Sequence, residues 1–206
     1  MIEKLRTILN FTVDIRELTD YYNKISNDFQ HLKWDYSIGK DTITDEWKER
    51  LSRNPETMLP FGWAIQSNLK DLSEPCPPHN ITSHERVQYR NTPLCFGIIE
   101  KLQNKLPFAY RYAISVLPPT AKVELHSDQE DELTVWIPIC SNGSAGITFV
   151  VDDKEIPIVT PANGNAILFD TTVPHYTMNN GDTDRVALMF RFNVKYKDDL
   201  LKVTEL

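Results

Sequence analysis

Two histidines, one aspartate and one arginine have types and spacing that could form a metal site. His126 and Asp128 are separated by one residue, and Arg185 lies ten residues after His175. Two imidazoles and one carboxylate can hold one face of an octahedral Fe(II) ion and leave the other face open for a cosubstrate and O₂. An arginine beyond the second histidine can anchor the far carboxylate of a 2-oxo acid through a bidentate pair. A His-x-Asp tripeptide is weak by itself, so the elements around it must bring these residues together.

The composition excludes several other classes of protein. The chain has 206 residues, 41% of them hydrophobic, which suits a single domain over residues 1–206. A net charge of −7 without any run of Lys or Arg disfavours binding to nucleic acid or to an anionic membrane. The sequence has no apolar run long enough for a membrane span and no secretion signal. We expect a cytoplasmic protein that acts on a small molecule or peptide; nothing indicates its oligomeric state.

The first half of the chain, residues 1–106, is predicted to be a supporting region of helices and loops. One buried helical face is indicated by apolar residues at a three-four spacing, namely Ile15, Leu18, Tyr22, Ile25 and Phe29. Thr44 is the expected N-cap of a short second helix. Residues 73–93 are rich in Pro, Ser and Asn and predict a long loop. Thr92 and Pro93 then predict the start of a helix that runs to Leu106.

Residues 107–195 have the alternating pattern of β-strands. The predicted strands are 108–117, 120–126, 132–139, 146–151, 154–159, 164–169, 175–179 and 185–194. Eight short strands over so few residues imply two facing sheets, and a jelly roll is one of few ways to close them. The fold class is therefore predicted to be mainly β, a cupin-like jelly-roll core packed against N-terminal helices.

The last predicted strand separates two kinds of side chain. One row is apolar and suits packing beneath the helices: Val186, Leu188, Phe190, Phe192 and Val194. The opposite row is mixed: Arg185, Ala187, Met189, Arg191 and Asn193. Arginines cannot face a dry core without paired charges, so this row faces either an anion-binding interior or solvent.

Two segments resemble the aspartyl/asparaginyl β-hydroxylase family of 2-oxoglutarate/Fe(II) dioxygenases. They are LPPTAKVELHSD (117–128) and GNAILFDTTVPHYTMNNGDTDRVALMFRF (164–192). The resemblance implies a double-stranded β-helix that uses Fe(II), 2-oxoglutarate and O₂ to hydroxylate an amino-acid or peptidyl side chain. It further implies that His126 and His175 bind iron and that Arg185 binds the C5 carboxylate of 2-oxoglutarate.

The chain departs from that family at Asp128. Many members have glycine there and bind iron without a carboxylate, whereas a His-x-Asp pattern is similar to that of proline hydroxylases. We therefore predict His126, Asp128 and His175 as the metal ligands and catalytic centre. Family members also carry an arginine and a histidine in the following strand, which here reads ELTVWIPI and has neither. The reaction class carries over better than the substrate does.

Further residues near the predicted ligands have two possible roles. Asp170 could bind metal or stabilise a turn, and Arg191 could bind a substrate carboxylate or pair with an interior acid. The strands that flank the first ligand contain four candidates for cosubstrate contact or for the wall: Tyr110, Tyr112, Thr134 and Trp136. Of these we predict that Tyr112 and Thr134 contact 2-oxoglutarate. The acidic run over residues 128–132 is typical of a solvated turn, although beside a metal it could attract a basic substrate.

Three alternatives remain open at this point. Cys76, His79, His84 and Cys95 superficially suggest zinc, but their spacing fits no strong zinc pattern and their loop is rich in proline. The same fold can also carry a cupin-like metalloenzyme that does not use 2-oxoglutarate. A third possibility is a ligand-binding jelly roll without enzymatic activity, since such folds host many functions.

Overall fold

The computed structural model describes residues 2–35, 60–65, 93–128, 130–143 and 145–206. The helices are α1 (Ile2–Leu5), α2 (Ile15–Asp28), α3 (Ile98–Lys105) and α4 (Lys197–Leu201). The strands are β1 (Arg6–Thr12), β2 (Lys33–Asp35), β3 (Phe61–Ala64), β4 (Ala109–Leu117), β5 (Lys122–His126), β6 (Glu132–Cys140), β7 (Ala145–Val151), β8 (Lys154–Val159), β9 (Asn165–Phe169), β10 (His175–Met178) and β11 (Arg185–Asn193). Across these ranges, none of the helices has the length and apolar character needed to span a membrane.

The described strands form two antiparallel sheets that face each other. The major sheet has seven strands in the order β1-β9-β6-β11-β4-β3-β2, and the minor sheet has four in the order β5-β10-β7-β8. The sheets form a jelly roll with two layers rather than a closed barrel. The predicted fold class, a mainly β jelly roll packed against helices, is confirmed.

The outer face of the major sheet packs against α2 and α3. Four side chains of β11 belong to this core, as the alternation predicted: Val186, Leu188, Phe190 and Phe192. They lie with Leu18, Ile25 and Ile99 of the helices, and each buried side chain of this size stabilises the fold by roughly 1.5–3 kcal/mol. Val194 was wrongly predicted to join this row: it follows the end of β11, starts a 3-10 turn and is 42% exposed.

A second apolar core fills the space between the two sheets. Ile147, Phe149 and Ile158 come from the minor sheet, while Trp136 and Phe169 come from the major sheet. Because β6 lies between β9 and β11 and has a core on each face, its residues from Glu132 to Ile139 are buried without exception. Thr134, on the same face of β6 as Trp136, also faces this inter-sheet space, whereas the predicted site residue Tyr112 lies in the helix-side core.

The strands predicted between residues 107 and 195 are all present, with ends that differ by no more than two residues. The N-terminal half was predicted less well, because it adds β1, β2 and β3 to the major sheet. The helix predicted from Thr92 and Pro93 begins instead at Ile98. Its N-cap is Gly97, whose φ of +57° allows a sharp entry without a side-chain cap. The predicted helix at Thr44 lies outside the described residues, as does the predicted loop over 73–93 except for Pro93.

Helix α2 follows the predicted helical spacing. Asp14 caps its N-terminus, since the side chain accepts hydrogen bonds from the backbone N–H groups of Arg16 and Glu17. Leu18 and Ile25 are buried as predicted, and Tyr21 rather than Tyr22 is the buried tyrosine. Tyr22 and Phe29 are partly buried at the edge of the same core.

Gly164 is a position where the fold requires glycine. Its φ is +82°, and a Cβ built on it would overlap the backbone carbonyl oxygen of Val13. The same contact is stabilised by a hydrogen bond from the Val13 N–H to the Gly164 carbonyl at 2.8 Å. This close approach holds the residue after β1 against the start of β9.

We expect Gly164→Ala to lower the free energy of unfolding by roughly 2–5 kcal/mol, because strain at positive φ adds to the overlap with Val13. Gly143→Ala is the matched control: its φ is +80°, but nothing lies within 4 Å of an added Cβ. In that control the free energy of unfolding should fall only by the cost of the strain at positive φ, about 1 kcal/mol. Urea unfolding of both variants measures the difference, and equal losses would mean that the Val13 contact has no energetic role.

Candidate metal and 2-oxo acid site

His126 and His175 lie directly opposite each other in the minor sheet. They are antiparallel partners in β5 and β10, and their ring centroids are 4.4 Å apart. His126 Nδ1 is 2.7 Å from the Glu124 carbonyl oxygen, and His175 Nδ1 is 2.9 Å from that of Val173. A carbonyl only accepts, so each Nδ1 carries the proton and donates. Nε2 is therefore the nitrogen through which each ring would bind a metal, and the hydrogen bonds to Nδ1 orient the rings.

Burial affects the charge of the second histidine. His175 is 4% exposed, and burial lowers its pKa below the usual value for histidine, with nearby His126 acting in the same direction. A lowered pKa keeps the imidazole neutral at physiological pH. A neutral imidazole is the form that binds metal, so no proton has to be removed first.

Asp128 lies two residues after the end of β5 and is tied to two other elements. Its backbone N–H donates to the Thr171 carbonyl at 2.8 Å, and its Oδ1 accepts from Arg191 Nη2 at 3.1 Å. Burial alone would raise the pKa of this carboxyl. Arg191, a hydrogen bond from Thr171 and the two imidazoles outweigh that effect, so the pKa is lowered. Asp128 is thus held as a carboxylate beside the histidine pair.

Arg191 pairs with interior acids, which is one of the two roles open to it from the sequence. In addition to Asp128, its Nη1 donates to Glu132 Oε2 at 2.9 Å. Arg111 Nη1 lies 3.8 Å from the same oxygen. Glu132 is only 1% exposed, so the interpretation of residues 128–132 as a solvated turn was wrong at this end. The sequence missed this network because a buried acid is recognisable only once its partner from another strand is known.

The donor set suits Fe(II), but the third ligand is not yet in place. Within the described ranges, no group of three or more His, Cys, Asp or Glu side chains has the geometry to hold a metal ion. The two imidazoles are suitable ligands for iron. The Asp128 carboxylate is held beside the histidine pair by Arg191. A carboxylate has about four lone-pair sites, so pairing with Arg191 and ligation are compatible.

Arg185 lies on the major sheet and faces the inter-sheet space. It is 6% exposed, its Nη1 donates to the Met178 carbonyl at 3.2 Å, and its guanidinium carbon is 5.8 Å from the centre of the Trp136 ring. Burial lowers the pKa of Arg185 to about 10, so the side chain stays charged at neutral pH. A buried guanidinium with fixed direction is a suitable anchor for a carboxylate.

The other predicted cosubstrate contacts separate into two groups. Thr134 faces the inter-sheet space, where its hydroxyl lies 3.3 Å from that of Thr171. The structure does not bring Tyr112 to the site: it belongs to the helix-side core and stacks on Phe190 with ring centroids 5.0 Å apart. The apolar row that Tyr112 shares with Ile114 was a signal for this orientation. For Tyr110 the structure gives only its strand partner, Arg191.

Two remaining candidates have other surroundings. Asp170 accepts a hydrogen bond from the Thr172 hydroxyl at 2.6 Å, and its backbone N–H donates to Leu5, which matches the turn-stabilising alternative. For the suggested zinc site, Cys76, His79 and His84 lie outside the described residues. Cys95 Sγ donates to Gln103 Oε1 at 2.6 Å in the helical region.

Comparison with known proteins gives a family and several partial structural likenesses. The model of the family described as "Aspartyl/Asparaginyl beta-hydroxylase" matches residues 16–194. A search of curated proteins gave no significant match.

Among solved structures, the chain is similar to a non-heme monooxygenase, ThoJ, in complex with nickel. The identity is 8%, the coverage is 92% of this chain and 74% of the other, and the TM-score is 0.49. It is also similar to a prolyl-4-hydroxylase from Pseudomonas putida, with 22% identity, 40% and 47% coverage and a TM-score of 0.33. A predicted oxalate decarboxylase from Thermotoga maritima has 26% identity, 46% and 73% coverage and a TM-score of 0.31.

We expect Arg191→Leu to lower the free energy of unfolding by about 3–5 kcal/mol, because it removes the cation that pairs with buried Asp128 and the nearer of the two cations beside Glu132. Lys101→Leu is the matched control. Lys101 pairs with Glu17 at 2.8 Å, but both side chains are exposed, so its loss should cost at most about 1 kcal/mol. Chemical unfolding at neutral pH measures the free energy of unfolding of both variants. An Arg191 variant as stable as the Lys101 variant would show that the buried network does not stabilise the fold.

Proposed function

Because this chain belongs to the aspartyl/asparaginyl β-hydroxylase family, we propose that it is an Fe(II)- and 2-oxoglutarate-dependent dioxygenase. Its substrate is an amino-acid or peptidyl side chain, which it hydroxylates with succinate and CO₂ as co-products. The observation that carries this proposal is the direct pairing of His126 with His175, both with Nδ1 bound to backbone carbonyls. Imidazole nitrogens are suitable ligands for iron, and these hydrogen bonds orient both rings for that role.

His126, His175 and Asp128 would hold the iron. When bound with O₂ and 2-oxoglutarate, iron supplies the oxidising power to hydroxylate an unactivated C–H bond. The chain itself contributes orientation and charge. The backbone carbonyls at Glu124 and Val173 fix the two imidazole rings, and Arg191 keeps Asp128 ionised and close by.

Arg185 would anchor the cosubstrate. Its charge and burial suit the distal carboxylate of 2-oxoglutarate, which is held best by a bidentate guanidinium in a desolvated pocket. Thr134 faces the same inter-sheet space and is a further candidate contact. The apolar side chains around them, such as Phe149 and Ile158, exclude water and so strengthen the electrostatic attraction.

The proposal is tested by anaerobic addition of Fe(II) and then 2-oxoglutarate to the purified protein. A weak visible charge-transfer band is expected only when both are present, because it arises from the 2-oxo acid chelated to iron. A cupin-like enzyme that does not use 2-oxoglutarate would bind the metal without this band, and a ligand-binding jelly roll would bind neither. Substrate-dependent release of succinate from a panel of amino acids and peptides then identifies the substrate class.

His126→Ala and His175→Ala should each abolish the band and the Fe(II)-dependent turnover of 2-oxoglutarate, since each removes one of the three proposed metal ligands. Asp128→Ala should weaken iron binding or uncouple turnover, while Asp128→Glu keeps partial function. His31→Ala is the control, because His31 lies in the 3-10 turn Gln30–Leu32. Thermal unfolding of the apo proteins checks the fold. Full activity in either histidine variant of the site would refute the dioxygenase assignment.

Arg185→Lys should raise KM for 2-oxoglutarate with little change in iron affinity, because lysine keeps the charge but loses the bidentate fork. The loss of one such pair in a desolvated pocket costs roughly 2–4 kcal/mol, which is roughly thirty- to a thousand-fold in affinity. Arg16→Lys, at an exposed position in α2, is the control. If Arg191→Lys weakened the binding of 2-oxoglutarate and Arg185→Lys did not, Arg191 rather than Arg185 would be the anchor of the cosubstrate.

A further inference from the structure

Trp136 has a buried hydrogen-bond donor that the described protein does not use. The side chain is 8% exposed and lies in the inter-sheet core, and its Nε1 has no hydrogen-bond partner within the described ranges. Trp63 provides a contrast, since its Nε1 donates to the Phe29 carbonyl at 2.9 Å. An indole nitrogen can only donate, and leaving such a donor unsatisfied in a buried site costs free energy. The unused N–H of Trp136 therefore indicates an acceptor that comes from a ligand.

The surroundings of Trp136 indicate the chemistry of that ligand. The guanidinium carbon of Arg185 lies 5.8 Å from the centre of the indole ring, so an acceptor beside Trp136 is also beside a buried positive charge. Phe169 packs edge-on against the indole at 5.7 Å and 86°, which restricts rotation of the ring. A carboxylate has two oxygens and can accept from a guanidinium and from an indole at once. An anionic acceptor is favoured over a neutral one at this position.

We propose that Trp136 determines cosubstrate specificity by donating its Nε1–H to the distal carboxylate of the 2-oxo acid that Arg185 anchors. This inference rests on the proposed function and adds a residue to it. Arg185 supplies the charge, whereas Trp136 supplies a neutral donor on a neighbouring strand of the same sheet. Two donors from different directions distinguish a dicarboxylate from a 2-oxo acid whose chain ends in a methyl group.

The test compares Trp136→Phe with the unaltered protein, because phenylalanine keeps an aromatic ring against Phe169 and removes the donor together with the second ring of the indole. Dissociation constants are measured anaerobically in the presence of Mn(II) for two ligands, 2-oxoglutarate and 2-oxopentanoate. The second has the same chain length and lacks the distal carboxylate. The variant should bind 2-oxoglutarate roughly tenfold more weakly, as expected for a lost hydrogen bond to a charged group. Its affinity for 2-oxopentanoate should change less than about twofold.

Trp63→Phe is the matched control. It also removes a buried indole donor, but one whose acceptor is the protein itself, so it should lower stability and leave both dissociation constants unchanged. A measurement on the unaltered protein covers the case in which Trp136→Phe does not fold. In a ¹⁵N-labelled sample containing Zn(II), the indole N–H resonance of Trp136 should move downfield on addition of 2-oxoglutarate and not of 2-oxopentanoate.

The outcomes separate this inference from the function on which it rests. If the unaltered protein does not bind 2-oxoglutarate, both are overturned. If it binds 2-oxoglutarate and Trp136→Phe binds it equally well, the dioxygenase assignment stands and the role of Trp136 is refuted. The role of Trp136 is also refuted if the variant binds both 2-oxo acids more weakly by the same factor, because the indole N–H would then not donate to the distal carboxylate. When Trp136→Phe does not fold, an unmoved indole resonance gives the same refutation.

Discussion

The site depends on the register of the minor sheet, which sets His175 opposite His126. A slip of one residue in an antiparallel pair turns every side chain to the other face, so either imidazole would then leave the inter-sheet space. Two contacts oppose such a slip. Phe149 of β7 pairs with His175 from the other side, and the fully buried Asn179 donates its backbone N–H to the Ala121 carbonyl at 3.0 Å. The strand ends are thus fixed before any ligand binds.

The two arginines of β11 lie on the same face of the strand but have different contacts. Arg185 and Arg191 both face the inter-sheet space, and both are too strongly charged to be buried without compensation. Arg191 is compensated within the protein by Glu132 and Asp128, and so stabilises the fold around the histidines. Arg185 lies beside the Trp136 ring and donates to the Met178 carbonyl, and under the proposed function it binds the distal carboxylate of the cosubstrate.

The sequence predicted the C-terminal half of the fold well because its strands alternate polar with apolar residues and end at turn residues. The N-terminal strands were missed because they are defined by distant partners: β1 pairs with β9, at the far end of the chain. His126 and His175 could be predicted from their types and spacing. The burial of Glu132 could not, since an acid in an acidic run normally faces water and only Arg191, from another strand, makes burial possible. Tyr112 was wrongly predicted at the site, because it shares one face of β4 with Ile114 and that face packs against the helices.

The histidines belong to the minor sheet and Arg185 to the major sheet, which has a consequence for how the molecule resists unfolding. Under the proposed function, a dicarboxylate chelated at one end and held by Arg185 at the other would connect the two layers, in addition to the hydrogen bonds that Arg185 and Arg191 already make across the gap. A ligand that binds only the folded chain stabilises it by about 2.7 kcal/mol at a hundredfold excess over Kd. The supply of the 2-oxo acid would then govern the lifetime of the protein against proteolysis as well as its catalytic rate.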